Sequence, residues 1–339
     1  MVTTMREGCF EMNRNITFSQ AIREAMAEEM RQNSNVFLMG EDVGVFGGVF
    51  GVSAGMFDEF GEDRVRDTPI SEAAIVGAGL GAALMGMRPI VEIMFADFAT
   101  VAMDQIVNQV AKARYMTGGK ANVPLTIRLV NGAPGSAGAQ HSQSPEAWFM
   151  NVPGLKIAIP ATPYDAKGLL KSAIRGQDPV LFFEHKMLYG SMGMVPEEDY
   201  IIPFGQAAIR REGDDATIIA IGGMLPVALK AAQQLAQKGI STEVIDPRTL
   251  VPLDVDSLVA SVAKTHRAII VHEAHRRAGP GAEIAALLAE KAIGYLDAPI
   301  LRMATKNVPF PYNPNLEQFI LPTVTDVVTA VEDVVNYRL

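Results

Sequence analysis

A chain of 339 residues, 49% hydrophobic and 20% charged, is long enough for two domains with cores of their own and has neither a fibrous nor a disordered composition. Its formal net charge of -9 excludes sequence-independent binding to nucleic-acid phosphates, which needs a surplus of Lys and Arg on one face. The longest apolar run, Ala73 to Met87, falls short of the roughly 20 residues that span a bilayer, and Met1 to Asn15 has no apolar stretch of the secretory kind, so neither a membrane segment nor a signal is expected.

In chain order, the single cysteine, Cys9, comes first. Alone it can form no internal disulfide and no cysteine-held structural zinc, and a reducing, cytoplasmic compartment is expected. Thr17 followed by Gln20 reads as a capping box for a helix that carries Ile22, Ala25, Met26 and Met30 on one face. Val36 to Met39 reads as a buried strand that delivers Glu41 and Asp42 to its carboxyl end, before a loop built on Gly44, Gly47, Gly48, Gly51 and Gly55.

Asp67-Thr68-Pro69-Ile70-Ser71-Glu72 then leads into the bare run Ala73 to Ala83. Pro69 biases Thr68 toward extended backbone, Ser71 is placed to cap the helix that follows, and Glu72 falls in its first turn. Gly costs roughly 1 kcal/mol against Ala inside a helix, so Gly77 and Gly81, with Ala74, Ala78 and Ala82, imply that another backbone packs closely there, as in a crowded interface. Pro89 to Phe95 reads as a strand, Thr100 to Tyr115 as a long amphipathic helix, and Pro124 to Val130 as a strand. The glycine-rich loop Asn131 to Ser144 carries His141 and is followed by strand Lys156 to Ile159, helix Tyr164 to Ile174 and strand Val180 to Phe183.

From about His185 to Asp215 no period is sustained, and a connector is expected. Beyond it, strands near Thr217 to Ile221, Glu243 to Ile245, Ala268 to Val271 and Ile300 to Met303 alternate with helices near Val227 to Gln237, Val255 to Lys264 and Gly281 to Lys291, closed by a helix over Val324 to Asn336. Alternation of this kind predicts an α/β fold of two open, mostly parallel-sheet domains, over 14–190 and 216–339, joined by a linker over 191–215.

Gly77-x-Gly79-x-x-Ala82 matches a dinucleotide fingerprint, with Glu92 or Asp97 in range of a ribose, but the glycines fall inside the helix rather than in the turn before it. Gly51-Val52-Ser53-Ala54-Gly55 matches a nucleophile elbow and would make a serine hydrolase with a histidine from His185, His266, His272 or His275, although no firm strand precedes Ser53. His272-Glu273-Ala274-His275 is half a metal site without a third ligand, and a surface or interface role is expected of it. His141, between Gln140 and Ser142 on a flexible loop, is equally a proton-transfer group or a histidine that satisfies loop backbone.

Taken together, Asp67 to Glu72, Arg88-Pro89-Ile90-Val91-Glu92-Ile93, Asp104-Gln105-Ile106, Tyr115-Met116-Thr117-Gly118-Gly119, Ala139-Gln140-His141-Ser142-Gln143, Pro163 to Leu169, Val244 to Asp254 and Val308-Pro309-Phe310-Pro311 give the chain from about Asn15 onward a close family likeness. It resembles the β subunit of the thiamine-diphosphate-dependent dehydrogenases that form the first components of pyruvate, branched-chain 2-oxoacid and acetoin dehydrogenase complexes.

The resemblance implies a transketolase-type pyrimidine-binding domain followed by a transketolase C-terminal domain. It further implies an α2β2 heterotetramer with an α subunit that holds Mg²⁺ and the diphosphate through a Gly-Asp-Gly motif absent from this chain, and docking to a lipoyl acyltransferase core. Carried over residue by residue, Glu72 matches the acid that engages the pyrimidine N1′, Phe98 the aromatic against that ring, and Ile70 and Glu41 further pocket positions. His141 matches the histidine that serves proton and acyl transfer to lipoyl. A non-catalytic scaffold of the same fold is the remaining alternative.

Overall fold

The computed structural model describes residues 14–338; Cys9 and most of the Met1 to Asn15 stretch lie outside them. The large sheet has seven strands in the spatial order Thr249–Val251, Lys156–Ala158, Val180–His185, Thr126–Asn131, Arg88–Ile93, Val36–Gly40, Val65–Asp67. All neighbours are parallel except the first pair, where Thr249–Val251 returns from the second half of the chain and runs antiparallel to Lys156–Ala158. The central strands are buried along their whole length, as continuous apolar runs covered on both faces require. Helices Phe18–Gln32 and Pro163–Arg175 pack on one face, and helix Glu72–Leu84 on the other.

The second sheet has five strands in the order Leu301–Thr305, Ala268–His275, Ala216–Ala220, Thr242–Asp246, Ala208–Arg211, parallel except for the last. Its apolar faces continue those of the first: Ile219, Ile221 and Ile245 share a cluster with Ile157, Ile159 and Phe183. The predicted fold class is therefore observed, with two large apolar clusters that each run through both halves. Among the described residues no helix is long and apolar enough to cross a membrane.

Several elements depart from the sequence reading. The connector over 191–215 carries two strands: Met192–Val195, which pairs antiparallel with Arg14–Thr17, and the edge strand Ala208–Arg211. Each is short and lies at an edge, where half-exposed side chains leave no alternating pattern. The long helix over Thr100 to Tyr115 is broken into a tight turn at Ala96–Thr100, a widened π-helical turn at Gln105–Val110 and the short helix Ala113–Met116. In the wide turn the Ala111 N–H reaches back five residues to the Ile106 carbonyl at 3.0 Å.

Thr17 caps its helix by accepting the Gln20 N–H at 3.1 Å, whereas Ser71 occupies the N-cap position of Glu72–Leu84 without a side-chain bond. No other backbone approaches the expected glycines: Gly77 faces only the Gln105 side chain and Gly81 meets nothing within 4 Å, while the close packing falls at Gly79, where a Cβ would lie 2.9 Å from Val91 Cγ1 and 3.0 Å from Leu125 Cδ1.

Two charged clusters sit where apolar residues would be expected. Arg128, wholly buried on a central strand, donates to Glu184 at 2.6 and 2.7 Å and to Glu92, while the Tyr189 hydroxyl adds a bond of 2.8 Å to Glu184. The buried ammonium groups of Lys167 and Lys171 donate to Glu28 at 2.7 and 2.6 Å and tie helix Pro163–Arg175 to Phe18–Gln32.

Candidate active site

In a parallel sheet the ligands gather beyond the carboxyl ends of the strands, and each sequence-predicted residue lies there. Glu41 follows Val36–Gly40, Ile70 and Glu72 follow Val65–Asp67, Phe98 follows Arg88–Ile93, and His141 lies on the loop after Thr126–Asn131. The Thr68 N–H donates to the Gly40 carbonyl at 2.9 Å and the Gly44 N–H to Asp67 Oδ1 at 2.7 Å, which locks the first two strand ends together.

Glu41 and Glu72 are 8% and 7% exposed, and neither carboxylate accepts a hydrogen bond among the described residues. Burial, with the carboxylates of Glu72, Asp42 and Glu92 nearby, pushes the Glu41 carboxyl above its ordinary range. The carboxylate oxygens of both residues still reach solvent, so each is open to a donor that enters the site from outside this chain. Ile70, 83% exposed, stands on the turn before Glu72 and touches nothing that explains an apolar side chain in water.

Phe98 and His141 meet edge to face at 5.2 Å, and Phe95 closes the group at 4.7 Å from the imidazole. Phe50 continues it toward Tyr189, at 5.6 Å from Phe95. The His141 carbonyl accepts the Lys186 ammonium at 2.8 Å; burial pulls that ammonium below its ordinary range, against the carboxylates of Glu273, Glu317 and Asp97. Gln143 donates to Asp97 Oδ1 at 2.9 Å, while Asp97 Oδ2 is buried without a partner.

Under the loop, His185 Nε2 lies 2.9 Å from Glu273 Oε2, and the Met187 N–H donates to His185 Nδ1 at 3.3 Å, which places the ring proton on Nε2, toward Glu273. Gly132, at φ +92°, is obligatory here, because a Cβ would lie 2.2 Å from His185 Nε2.

The other motifs resolve against chemistry. Ser53 is buried, and its hydroxyl donates to the Val43 carbonyl at 2.8 Å, so the elbow is a structural turn and the hydrolase reading falls. The fingerprint glycines lie within helix Glu72–Leu84, Glu92 is spent on Arg128 and Asp97 on Gln143. Strand Ala268–His275 runs four residues further than the apolar pattern indicates and buries both residues, His272 against Gly279 and Gly281 of its own half and Glu273 between the two halves, an interface role rather than a surface one.

Sequence reasoning missed Lys186 and Glu317; nothing near Glu317 in the chain marks it as a neighbour of a loop 180 residues earlier. A groove of about 1140 Å³, lined by Tyr115, Met116, Pro153 and Pro179, lies at the amino ends of the strands, opposite this site.

Residues 14–192 match the transketolase pyrimidine-binding domain and residues 205–327 the transketolase C-terminal domain. The chain is 50% identical to the acetoin:2,6-dichlorophenolindophenol oxidoreductase subunit beta of Bacillus subtilis, over 94% of this chain and 96% of that one. It is 48% identical to the pyruvate dehydrogenase E1 component subunit beta of Rhizobium meliloti, over 94% and 70%, and 45% identical to the 2-oxoisovalerate dehydrogenase subunit beta of Bacillus subtilis, over 95% and 99%. A solved split-gene transketolase, titled an inactive beta4 tetramer, shares the fold at a TM-score of 0.78 and 23% identity, over 94% of this chain and 98% of that one. With both domains matched and up to half the residues identical along nearly whole chains, this chain belongs to the family of β subunits of the thiamine-dependent 2-oxoacid and acetoin dehydrogenases.

Proposed function

We propose that this chain supplies the pyrimidine-binding half of a thiamine diphosphate site that an α subunit completes with Mg²⁺ and the diphosphate contacts, in an α2β2 assembly that serves a lipoyl acyltransferase core. In this reading 14–190 is the pyrimidine-binding domain, 191–215 the linker and 216–339 the transketolase C-terminal domain. The substrate is an acyl donor with a carbonyl beside the bond that breaks, as in pyruvate, a branched-chain 2-oxoacid or acetoin; identities of 50, 48 and 45% do not rank the three.

The observation that carries this reading is the pair Glu41 and Glu72, buried at the carboxyl edge of the large sheet without donors of their own. Two such carboxyls fit a heterocycle that offers ring N–H and exocyclic amino protons, and they have no use in a scaffold. Bound thiamine diphosphate supplies the electron sink for cleavage next to a carbonyl. Glu72 holds a proton at the ring nitrogen, Phe98 offers its ring to the heterocycle, and Glu41 keeps a second carboxyl close by in a site too dry to ionise it freely. His141, half-buried and steadied by Phe95 and Phe98, presents its imidazole where a proton has to be given and recovered during acyl transfer.

The test is Glu72→Gln in the enzyme reconstituted with its α subunit. The carboxamide keeps the size but cannot exchange the proton, so turnover should fall by about 10²–10⁴-fold while circular dichroism and thermal midpoint stay unchanged. Near-normal turnover would reject the assignment.

A further inference from the structure

The loop that carries His141 belongs to the first half of the chain, yet the second half holds it. We infer that Glu273 and Glu317 are positioning residues which fix the Asn131 to Ser144 loop and so set where His141 stands; the inference rests on the role proposed for His141.

Glu273 gathers the two ends of the loop on one oxygen. The Ala133 N–H reaches Glu273 Oε1 at 2.5 Å and the Ser144 hydroxyl reaches the same atom at 3.4 Å, while Oε2 pairs with His185. Glu317, 1% exposed, takes the middle: its Oε2 accepts the N–H groups of Gly135 and Ser136 at 3.1 and 3.0 Å. These two consecutive N–H groups converge on one carboxylate oxygen, and Ser136, at φ 52°, continues the turn.

Glu317 is itself fixed, since the Asn313 side chain caps helix Pro314–Ile320 by accepting the N–H groups of Asn315 and Leu316. Apolar contacts run the same way: Ala133 is buried in a small cluster with Phe310 and Ile320, separate from the two large ones. From within the first half the loop has the Lys186 ammonium on the His141 carbonyl and the Asp97 carboxylate on Gln143. Lys186 also feels Glu273 and Glu317, so the two carboxylates hold the loop both directly and through the cation that grips its histidine.

The experiment uses the reconstituted enzyme with Glu317→Gln and Glu273→Gln, read in two ways. Amide hydrogen exchange over residues 133–144 reports the clamp, and the ratio of lipoyl-coupled turnover to turnover with an artificial electron acceptor reports the histidine's placement. A neutral carboxamide weakens a charge-assisted bond without removing the acceptor, so Glu317→Gln should raise exchange at Gly135 and Ser136 about 10-fold and lower that ratio about 10-fold.

Unchanged exchange overturns the proposal, and so does an equal loss in both turnovers, which is what a merely structural carboxylate would give. If Glu273→Gln does not fold, Glu317→Gln decides alone. His141→Ala separates the layers: a lowered ratio in that variant with no effect of Glu317→Gln rejects the clamp, whereas raised exchange in Glu317→Gln with no loss in His141→Ala rejects the histidine's role and with it the proposed consequence of the clamp.

Discussion

Glu146 is a carboxyl with almost no access to water, and burial pushes it up to about 7, with Glu273 adding to the rise and its own backbone N–H opposing it. Between about 4.5 and 7 the folded chain therefore keeps a proton that the unfolded chain has released, and the stability this group lends is complete at low pH and is lost as pH rises through 7. His272 works in the opposite direction: burial lowers it to about 4 from 6.5, so the unfolded chain takes up a proton first and stability falls as pH drops through that range. Each shift is worth about 3 kcal/mol at most. Glu146→Gln should therefore gain on the parent protein between pH 5 and pH 8, by up to about 3 kcal/mol in urea unfolding. A difference that stays constant across that range would mean that Glu146 is ionised in the fold.

Along helix Glu72–Leu84 the glycines are not equivalent. A Cβ on Gly79 would meet Val91 and Leu125 near 3 Å, while one on Gly81 would meet nothing within 4 Å. Gly79→Ala should destabilise by about 1–3 kcal/mol through overpacking, and Gly81→Ala should stabilise the isolated chain by up to about 1 kcal/mol through helix propensity. Thermal midpoints of the two variants moving in the same direction would refute this. The place of that helix was legible because a proline turn and a run of small residues are local signals, as are the buried strands Val36–Gly40 and Thr126–Asn131, whereas the cap expected of Ser71 and the backbone expected against Gly77 and Gly81 are not there. What the sequence left illegible depends on distant partners. Arg128 in the middle of an apolar strand makes sense only beside Glu92 and Glu184, strand Met192–Val195 exists only because Arg14–Thr17 lies next to it, and Glu317 reveals its use only when the halves have docked.

At the scale of the whole molecule, donorless carboxyls at one edge of the sheet, the exposed Ile70 and Phe46, and a groove at the opposite edge walled by exposed Tyr115 and Met116 mark surfaces that remain unfinished in a single chain. The isolated chain should accordingly bind thiamine diphosphate weakly in titration calorimetry, and tight Mg²⁺-dependent binding should appear only when the α subunit is added. Tight binding by this chain alone would sink the half-site reading.

Strand Thr249–Val251 closes the far edge of the large sheet from beyond the first strand of the second one. During synthesis the first half therefore emerges with Lys156–Ala158 paired only on its inner side, to Val180–His185, and its outer edge stays open until Val251 has left the ribosome. Nascent chains stalled between Asp215 and Asp246 should be the most dependent on chaperones, and a gene split at the linker should yield an N-terminal fragment that stays soluble only when the C-terminal fragment is made in the same cell.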